Sequence, residues 1–155
     1  MTDLLPNLTS PMLLSFPGLR LYALCTIILV LKMYAVGFYT GVVRSKAKVS
    51  TNPEDAKAFG AQAVDVEPAE VMRVMKAHRN DLENIPAFLF VALVAVLLNA
   101  PALGLRICLI VFTAARVGYS IAYLRAMQPW RSLLYGVGLL SSVALMVMIV
   151  MRILP

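Results

Sequence analysis

Four long apolar stretches divide the chain, at about residues 19–43, 84–99, 101–124 and 132–154. Each is close to the roughly 20 residues that an α-helix needs to cross the hydrocarbon core of a bilayer, although the second is short. No stretch alternates apolar and polar residues with a period of two, which is the pattern of a membrane β-barrel. The pattern therefore predicts an all-α integral membrane protein, a four-helix transmembrane bundle in which residues 1–155 form a single domain.

Composition and charge agree with this prediction and add a topology. Hydrophobic residues make up 61% of the chain and charged residues 14%, which is typical of a membrane protein. Of the fourteen Lys and Arg residues, seven lie between residues 44 and 79, and Arg125 and Arg131 lie in the connection between the third and fourth spans. The positive-inside rule places both of these loops in the cytosol. The net charge of +6 is accounted for by topology and by attraction to anionic membrane lipids, and no nucleic-acid-binding motif accompanies it.

Polar residues crowd the entrance of the second span, in the stretch "MKAHRNDLENIPAF" at 75–88. Read as a helix, this stretch carries a mixed-sign polar face within an arc of about 80°. The face consists of Arg73, Lys76, Asn80 and Glu83, with Arg79 slightly beyond it, whereas His78 and Asp81 point elsewhere. Ionisable groups in lipid are costly, so a solvated helix end explains Glu83 poorly. Asn80 and Glu83 are therefore candidate functional residues. The structural alternative is a solvated helix end with local ion pairs such as Arg79–Glu83. His78 is the single histidine of the chain and therefore a weak candidate for a metal site, and no metal is expected.

Two more cations lie inside predicted spans. Arg116 lies about 12 Å inside the third helix, and Lys32 lies near the middle of the first. Both require partners within the bundle, and we expect both to be structural. Arg116, Tyr119 and Tyr123 have the spacing i, i+3 and i+7, which places them on one helix face. The cysteines, Cys25 and Cys108, lie among apolar residues, and we expect them to be inert packing residues.

The fourth span begins with "QPWRSLLYG", a helix start marked by Pro129. Arg131 and Ser132 then lie in the first turn, and Tyr135 follows one turn later. A guanidinium and a hydroxyl beside free backbone N–H groups at the positive end of a helix dipole form a site for an anion, and the same surroundings stabilise a thiolate. The alternative is a helix cap with a positive-inside anchor. "NPED", at 52–55, is sufficiently explained as another helix start, with Asn52 as the cap.

Basic groups from several regions and one acid, Glu83, suit a small anionic ligand that carries one amine. Glutathione, with two carboxylates, an ammonium and a thiol, fits that description. The sequence also resembles the MAPEG family, the membrane-associated proteins of eicosanoid and glutathione metabolism. The resemblance lies in "NPEDAKAFG", "RVMKAHRNDLENI", "ARVGYSIAYL" and "PWRSLLY". It is to the branch that contains microsomal glutathione S-transferase and microsomal prostaglandin E synthase.

The resemblance implies a homotrimer that binds glutathione between neighbouring subunits near the cytosolic side. The glutathione contacts it implies are Arg44, Arg79, Asn80, Glu83, Tyr123, Arg131, Ser132 and Tyr135, with Arg131 and Ser132 as the catalytic pair. Tyr119 stands where the synthase has a histidine and belongs to the same set. The connection from Tyr123 to Arg131 is one residue shorter than in the synthase. The proline of "LENIPAF" comes one residue earlier than is usual in the family, which shifts the expected kink.

The expected activity is that of a membrane-bound glutathione S-transferase that attacks lipophilic electrophiles from the bilayer, with peroxidase activity on lipid hydroperoxides. A glutathione-dependent prostaglandin E synthase is the alternative. A non-catalytic lipid-presenting protein is an alternative of another class, and a small multidrug transporter is more distant. The expected location is the endoplasmic reticulum in a eukaryote or the inner membrane in a bacterium.

Overall fold

A computed structural model describes Phe16 and residues 18–154. Four long helices form the bundle: α1 (Leu19–Ala47), α3 (Ala69–Leu97), α4 (Ala102–Leu124) and α5 (Trp130–Ile153). All four are long and apolar enough to span a membrane. The prediction of a four-helix integral membrane bundle is therefore confirmed. The first fifteen residues of the predicted single domain lie outside the described residues.

The helix bounds agree closely with three of the predicted spans and differ at the second. Helix α3 begins at Ala69, well before residue 84, and it runs without interruption through Pro86. The whole polar stretch at 75–88 therefore belongs to one helix. Hydropathy marks where a helix enters lipid but not where its hydrogen bonding begins, so a helix that projects beyond the apolar layer is underestimated.

The connection from α1 to α3 has a small structure of its own. Strand β1 (Val49–Ser50) pairs in parallel with β2 (Gln62–Ala63), and the short helix α2 (Pro53–Phe59) lies between them. The helix start predicted from "NPED" is confirmed, with Asn52 at the cap position. The Asn52 side chain donates to the Asp55 carboxylate at 3.0 Å instead of accepting from a backbone N–H group.

Helices α3, α4 and α5 pack around an apolar core, and α1 covers α3 and α4. Near its middle the Phe88 and Phe112 rings are stacked with centroids 3.5 Å apart. Leu29, Leu109 and Leu145 are fully buried in the same cluster. Cys25 and Cys108 are both buried, and neither forms a disulfide, in agreement with the expected packing role. This core fixes the relative positions of the polar groups nearer the α1–α3 connection.

Candidate functional site

A buried ion network joins three helices. The Asp81 carboxylate on α3 is fully buried and accepts a hydrogen bond from Arg116 Nη2 on α4 at 2.6 Å. Lys32 on α1 forms an ion pair with the same carboxylate oxygen. The prediction that Lys32 and Arg116 are paired within the bundle is therefore confirmed. Because an unpaired charge is very costly in this setting, the network ties α1, α3 and α4 together.

Asp81 is the residue that sequence reasoning missed. It lies off the mixed-sign face of α3, so the polar pattern does not mark it. The structure places it on the core face, in helical register with the buried residues Ala77, Ile85 and Phe88. A usable signal was present, since Asp81 and Glu83 are the only acidic residues after Glu70. Two cations inside spans require a carboxylate inside the bundle. Of these two acids, Asp81 is the one that lies on the core face.

The network extends to two neutral polar side chains. Arg116 Nη2 also donates to Asn80 Oδ1 at 2.8 Å. The Ser120 hydroxyl donates to the second Asp81 oxygen at 3.4 Å, which is a weak hydrogen bond. Asn80 is only half-buried, so it connects the network to the accessible side of α3. The predicted glutathione contact Asn80 is thus bound directly to a buried guanidinium.

Three tyrosines continue from the network toward the start of α5, and we refer to Tyr119, Tyr123 and Tyr135 as the tyrosine cluster. The Tyr119 ring centroid lies 5.5 Å from that of Tyr123 and 6.3 Å from that of Tyr135. The Arg116 guanidinium lies 4.6 Å from the Tyr119 centroid. The Arg131 guanidinium lies 4.8 Å from the Tyr123 centroid. The predicted common face of Arg116, Tyr119 and Tyr123 is confirmed, and cation–π contacts connect it to Arg131.

Arg131 and Ser132 lie in the first turn of α5, as predicted from Pro129. Gln128 lies beside both side chains. When its amide is oriented to satisfy both neighbours, its oxygen accepts from Arg131 Nη2 at 2.7 Å and its nitrogen donates to Ser132 Oγ at 3.2 Å. Ser132 and Tyr135 are exposed, and Arg131 is half-exposed. The predicted catalytic pair is therefore accessible from outside the chain.

The expectation of free backbone N–H groups at this helix start is wrong for three of them. The N–H of Arg131 donates to the Met127 carbonyl at 3.1 Å, and those of Ser132 and Leu133 donate to the Pro129 carbonyl at 3.0 and 3.1 Å. The turn that precedes α5 supplies these acceptors. Any anion here is held by the Arg131 and Ser132 side chains and by the helix dipole, and these three N–H groups are not available to it.

Arg79 and Glu83 form an ion pair one turn apart on the outer face of α3, at 3.0 Å. Their side chains are 82% and 56% exposed. This is the local pair that the structural alternative anticipated. An exposed pair of this kind contributes little to stability, so both groups are free to exchange partners when a ligand arrives.

Arg44, near the end of α1, has partners that are not among the other predicted contacts. Its Nε donates at 2.7 Å to Glu67, which is buried, and its Nη2 lies 3.5 Å from the sulfur of Met75. The other oxygen of Glu67, Oε2, has no hydrogen-bond partner within residues 18–154. Arg44 also borders a cavity of about 390 Å³. The other residues that line this cavity include Ser45, Lys48, Ser50, Asp55 and Phe59.

The predicted site residues thus occupy separate places on one chain. Asn80, the tyrosine cluster, Arg131 and Ser132 are connected through Arg116. Within residues 18–154, no hydrogen bond or ion pair links Arg44 to that group. His78 packs against α1 at Gly37, where an added Cβ would lie 3.1 Å from the imidazole. Among the described residues no cluster of three His, Cys, Asp or Glu side chains is suited to a metal ion.

The fold and these contacts define an integral membrane helical bundle with a basic and aromatic surface at the start of its last helix. Residues 22–151 match the model of the MAPEG family. The chain belongs to the MAPEG family.

Its relatives include enzymes of two named kinds. The chain is 37% identical over 139 residues to prostaglandin E synthase of Equus caballus, covering 89% of this chain and 91% of that protein. It is 36% identical over 140 residues to prostaglandin E synthase of Homo sapiens, covering 88% and 92%. It is 37% identical over 143 residues to microsomal glutathione S-transferase 1 of Rattus norvegicus, covering 89% and 88%. Similarity at this level extends over nearly the whole bundle and does not favour either kind.

Proposed function

We propose that this protein is a membrane-bound glutathione S-transferase that activates the glutathione thiol for attack on lipophilic electrophiles. The observation that carries the proposal is the position of Arg131 and Ser132 on the accessible first turn of α5, beside the tyrosine cluster. A full positive charge, a hydroxyl and the helix dipole favour a thiolate at this place. One relative bears the name of a microsomal glutathione S-transferase.

In the proposed complex, the glutathione carboxylates bind Arg44 and Arg79, and the ammonium binds Glu83. Asn80, Tyr119, Tyr123 and Tyr135 supply polar and ring contacts along the tripeptide. The sulfur lies against Arg131 and Ser132. The thiol proton leaves to solvent, the thiolate forms a carbon–sulfur bond to the electrophile, and a leaving group such as halide departs with its bonding pair. Lipid hydroperoxides are reduced at the same site to alcohol and water, as two glutathione molecules are oxidised to the disulfide.

Prostaglandin E synthase is the second candidate. The relatives of that name align over most of this chain, and "RSLLY" at 131–135 favours this activity. The two candidates use one thiolate but differ in the second substrate. The deciding experiment measures conjugation of glutathione to a generic aryl halide by the purified protein, beside isomerisation of a prostaglandin endoperoxide. Conjugation without isomerisation supports the transferase, and the reverse result supports the synthase.

The affinity for glutathione should depend on Glu83. Changing Glu83→Gln removes a charge-assisted hydrogen bond to the ammonium, worth roughly 1.5–3 kcal/mol, so the affinity should fall at least about tenfold. Thermal stability should not change, because the ion pair of Glu83 with Arg79 is exposed. Equilibrium binding of glutathione to the purified variant measures this. Glu70→Gln, an exposed acid in the first turn of the same helix, is the matched control and should bind like wild type. Unchanged affinity in Glu83→Gln would refute this role.

We also propose that the site is completed by a neighbouring subunit of a homotrimer, because within residues 18–154 no hydrogen bond or ion pair links Arg44 to the Arg131 group. Arg44→Leu and Arg131→Leu should each be nearly inactive alone. Co-expression of the two should restore activity to about a quarter of the wild-type value, since in a cyclic assembly a quarter of the sites then draw both arginines from unmodified positions. Activity no higher than that of the separate variants would place both residues in one subunit's site.

A further inference from the structure

Asn80 has a fixed orientation in the structure. Its Oδ1 accepts from Arg116 Nη2 at 2.8 Å, and a guanidinium can only donate. The amide oxygen therefore faces the interior, and the amide nitrogen faces away from it. Among the described residues the Asn80 Nδ2 group donates no hydrogen bond, and Asn80 is half-buried. The side chain presents two N–H donors toward the accessible side of α3.

The position of Arg116 is in turn set by Asp81. The same Nη2 atom that holds Asn80 donates to Asp81 Oδ1 at the shorter distance of 2.6 Å. Asp81 is fully buried, and Arg116 is 1% exposed. Water therefore cannot take the place of either residue as the hydrogen-bond partner of the other. Lys32 pairs with the same carboxylate, and among the described residues its Nζ forms no well-aligned hydrogen bond, so it contributes charge more than direction. Asp81 keeps the two cations together, and without it they would repel each other.

We infer that Asp81 is a positioning residue for glutathione: through Arg116 it fixes Asn80 so that the amide N–H groups, and not the amide oxygen, face the ligand. The acceptor on the ligand is a carbonyl or carboxylate oxygen of the tripeptide. This inference rests on the proposed function, and it assigns a part in substrate recognition to a residue that contacts no substrate. It also explains why a buried carboxylate lies next in sequence to a half-buried amide.

The inference separates binding from turnover. In Asp81→Asn, the affinity for glutathione should fall about fivefold, the effect of one misdirected hydrogen bond, whereas kcat at saturating glutathione should stay within about twofold. Asn80→Asp keeps an acceptor for Arg116 but replaces the N–H groups by an oxygen. It should fold, and its affinity should fall at least about tenfold, because an acceptor then faces an acceptor. Isothermal titration with glutathione and steady-state conjugation kinetics measure the two quantities.

If Asp81 had only a structural role, any loss of glutathione affinity would follow from lower stability. Two further variants distinguish this case. Leu145→Ala removes a fully buried side chain of the apolar core that is outside the ion network. It should lower the thermal stability and leave the glutathione affinity unchanged. The triple variant Lys32→Met, Asp81→Leu, Arg116→Met replaces the network by apolar side chains of similar size and should assemble, since such replacements preserve stability. It covers the case in which Asp81→Asn does not fold, and its glutathione affinity should be reduced at least as much.

The outcomes distinguish the inference from the proposed function. Wild-type protein that does not bind glutathione overturns both. Wild-type binding with unchanged affinity in Asp81→Asn, or in the triple variant, overturns the inference alone. Wild-type affinity in Asn80→Asp overturns it as well, because the donor role of Asn80 is then wrong. A loss of affinity in Leu145→Ala equal to that in Asp81→Asn would reduce the effect to general stability and would also overturn it.

Discussion

Replacing Arg131 with leucine should abolish the thiolate absorbance of the glutathione complex near neutral pH and lower turnover at least about tenfold. Free thiols have a pKa near 8.5, and a cation beside a helix N-terminus can lower it to about 7 or below. Lowering the thiol pKa by two corresponds to about 2.7 kcal/mol of thiolate stabilisation. Three of the first-turn N–H groups are already bonded to Met127 and Pro129, so Arg131 must supply most of this energy.

The design of this experiment includes two comparisons. Arg125→Leu removes an exposed arginine at the end of α4 and should leave absorbance and turnover unchanged. Ser132→Ala removes one neutral donor and should affect conjugation far less than Arg131→Leu does. Glutathione binding should weaken less than turnover, since the carboxylate contacts remain. A full thiolate signal and full turnover in Arg131→Leu would refute the mechanism. Selective loss of endoperoxide isomerisation in Ser132→Ala would favour the synthase.

Removing Arg116 should impair assembly before it affects chemistry. Arg116 is 1% exposed, and its guanidinium holds both Asp81 and Asn80. Truncating one member of a buried pair typically costs about 3–5 kcal/mol. In Arg116→Ala, the Lys32 ion pair still compensates the carboxylate, so some protein should fold. In Asp81→Ala, Lys32 and Arg116 lose the one carboxylate that pairs with them among the described residues, and the loss should be larger. We therefore expect both variants to have a lower yield and a lower midpoint of thermal unfolding than the wild type. The decrease should be larger in Asp81→Ala than in Arg116→Ala.

Yield in detergent, oligomer size and thermal unfolding of the purified variants measure this order. Arg79→Ala is the control, because Arg79 is 82% exposed and its loss should change none of these quantities. A well-assembled Arg116→Ala protein that binds glutathione but has no activity would instead make Arg116 a catalytic residue.

The transmembrane helices were predictable because hydropathy reports directly on burial in lipid. The starts of α4 and α5 agree with the positions of Pro101 and Pro129, which precede them. Pro68 precedes α3 in the same way, but hydropathy does not report this start, because polar residues crowd the first turns of α3. The strands β1 and β2 were not predicted either, because two residues are too few to display a period. Their pairing depends on contacts across the α2 segment, which local sequence does not encode.

The candidate site was predictable where one helix supplies the geometry. The spacing of Arg116, Tyr119 and Tyr123 on α4 was sufficient to place them together, and the Pro129 signal was sufficient to place Arg131 and Ser132. Asp81 was not predictable from the polar face of α3, because it lies on another, core-facing side of the helix. In a membrane bundle with internal cations, the informative carboxylate lies among apolar neighbours. The hydrogen bond from Arg44 to Glu67 joins the two ends of the α1–α3 connection. The periodicity of a single helix cannot predict a contact of this kind.

The shared carboxylate between Lys32 and Arg116 has a consequence for biogenesis. Lys32 leaves the ribosome long before Asp81, so the first helix reaches the translocon with an ammonium in its middle and no counter-ion. A lysine at the centre of an inserting helix costs about 2.5–3.5 kcal/mol. The first helix therefore gains its full preference for the bilayer only when the helix that carries Asp81 arrives beside it. We therefore expect the insertion of these two helices to be coupled, with the acceptor of Arg116 in place before the helix that carries Arg116 enters.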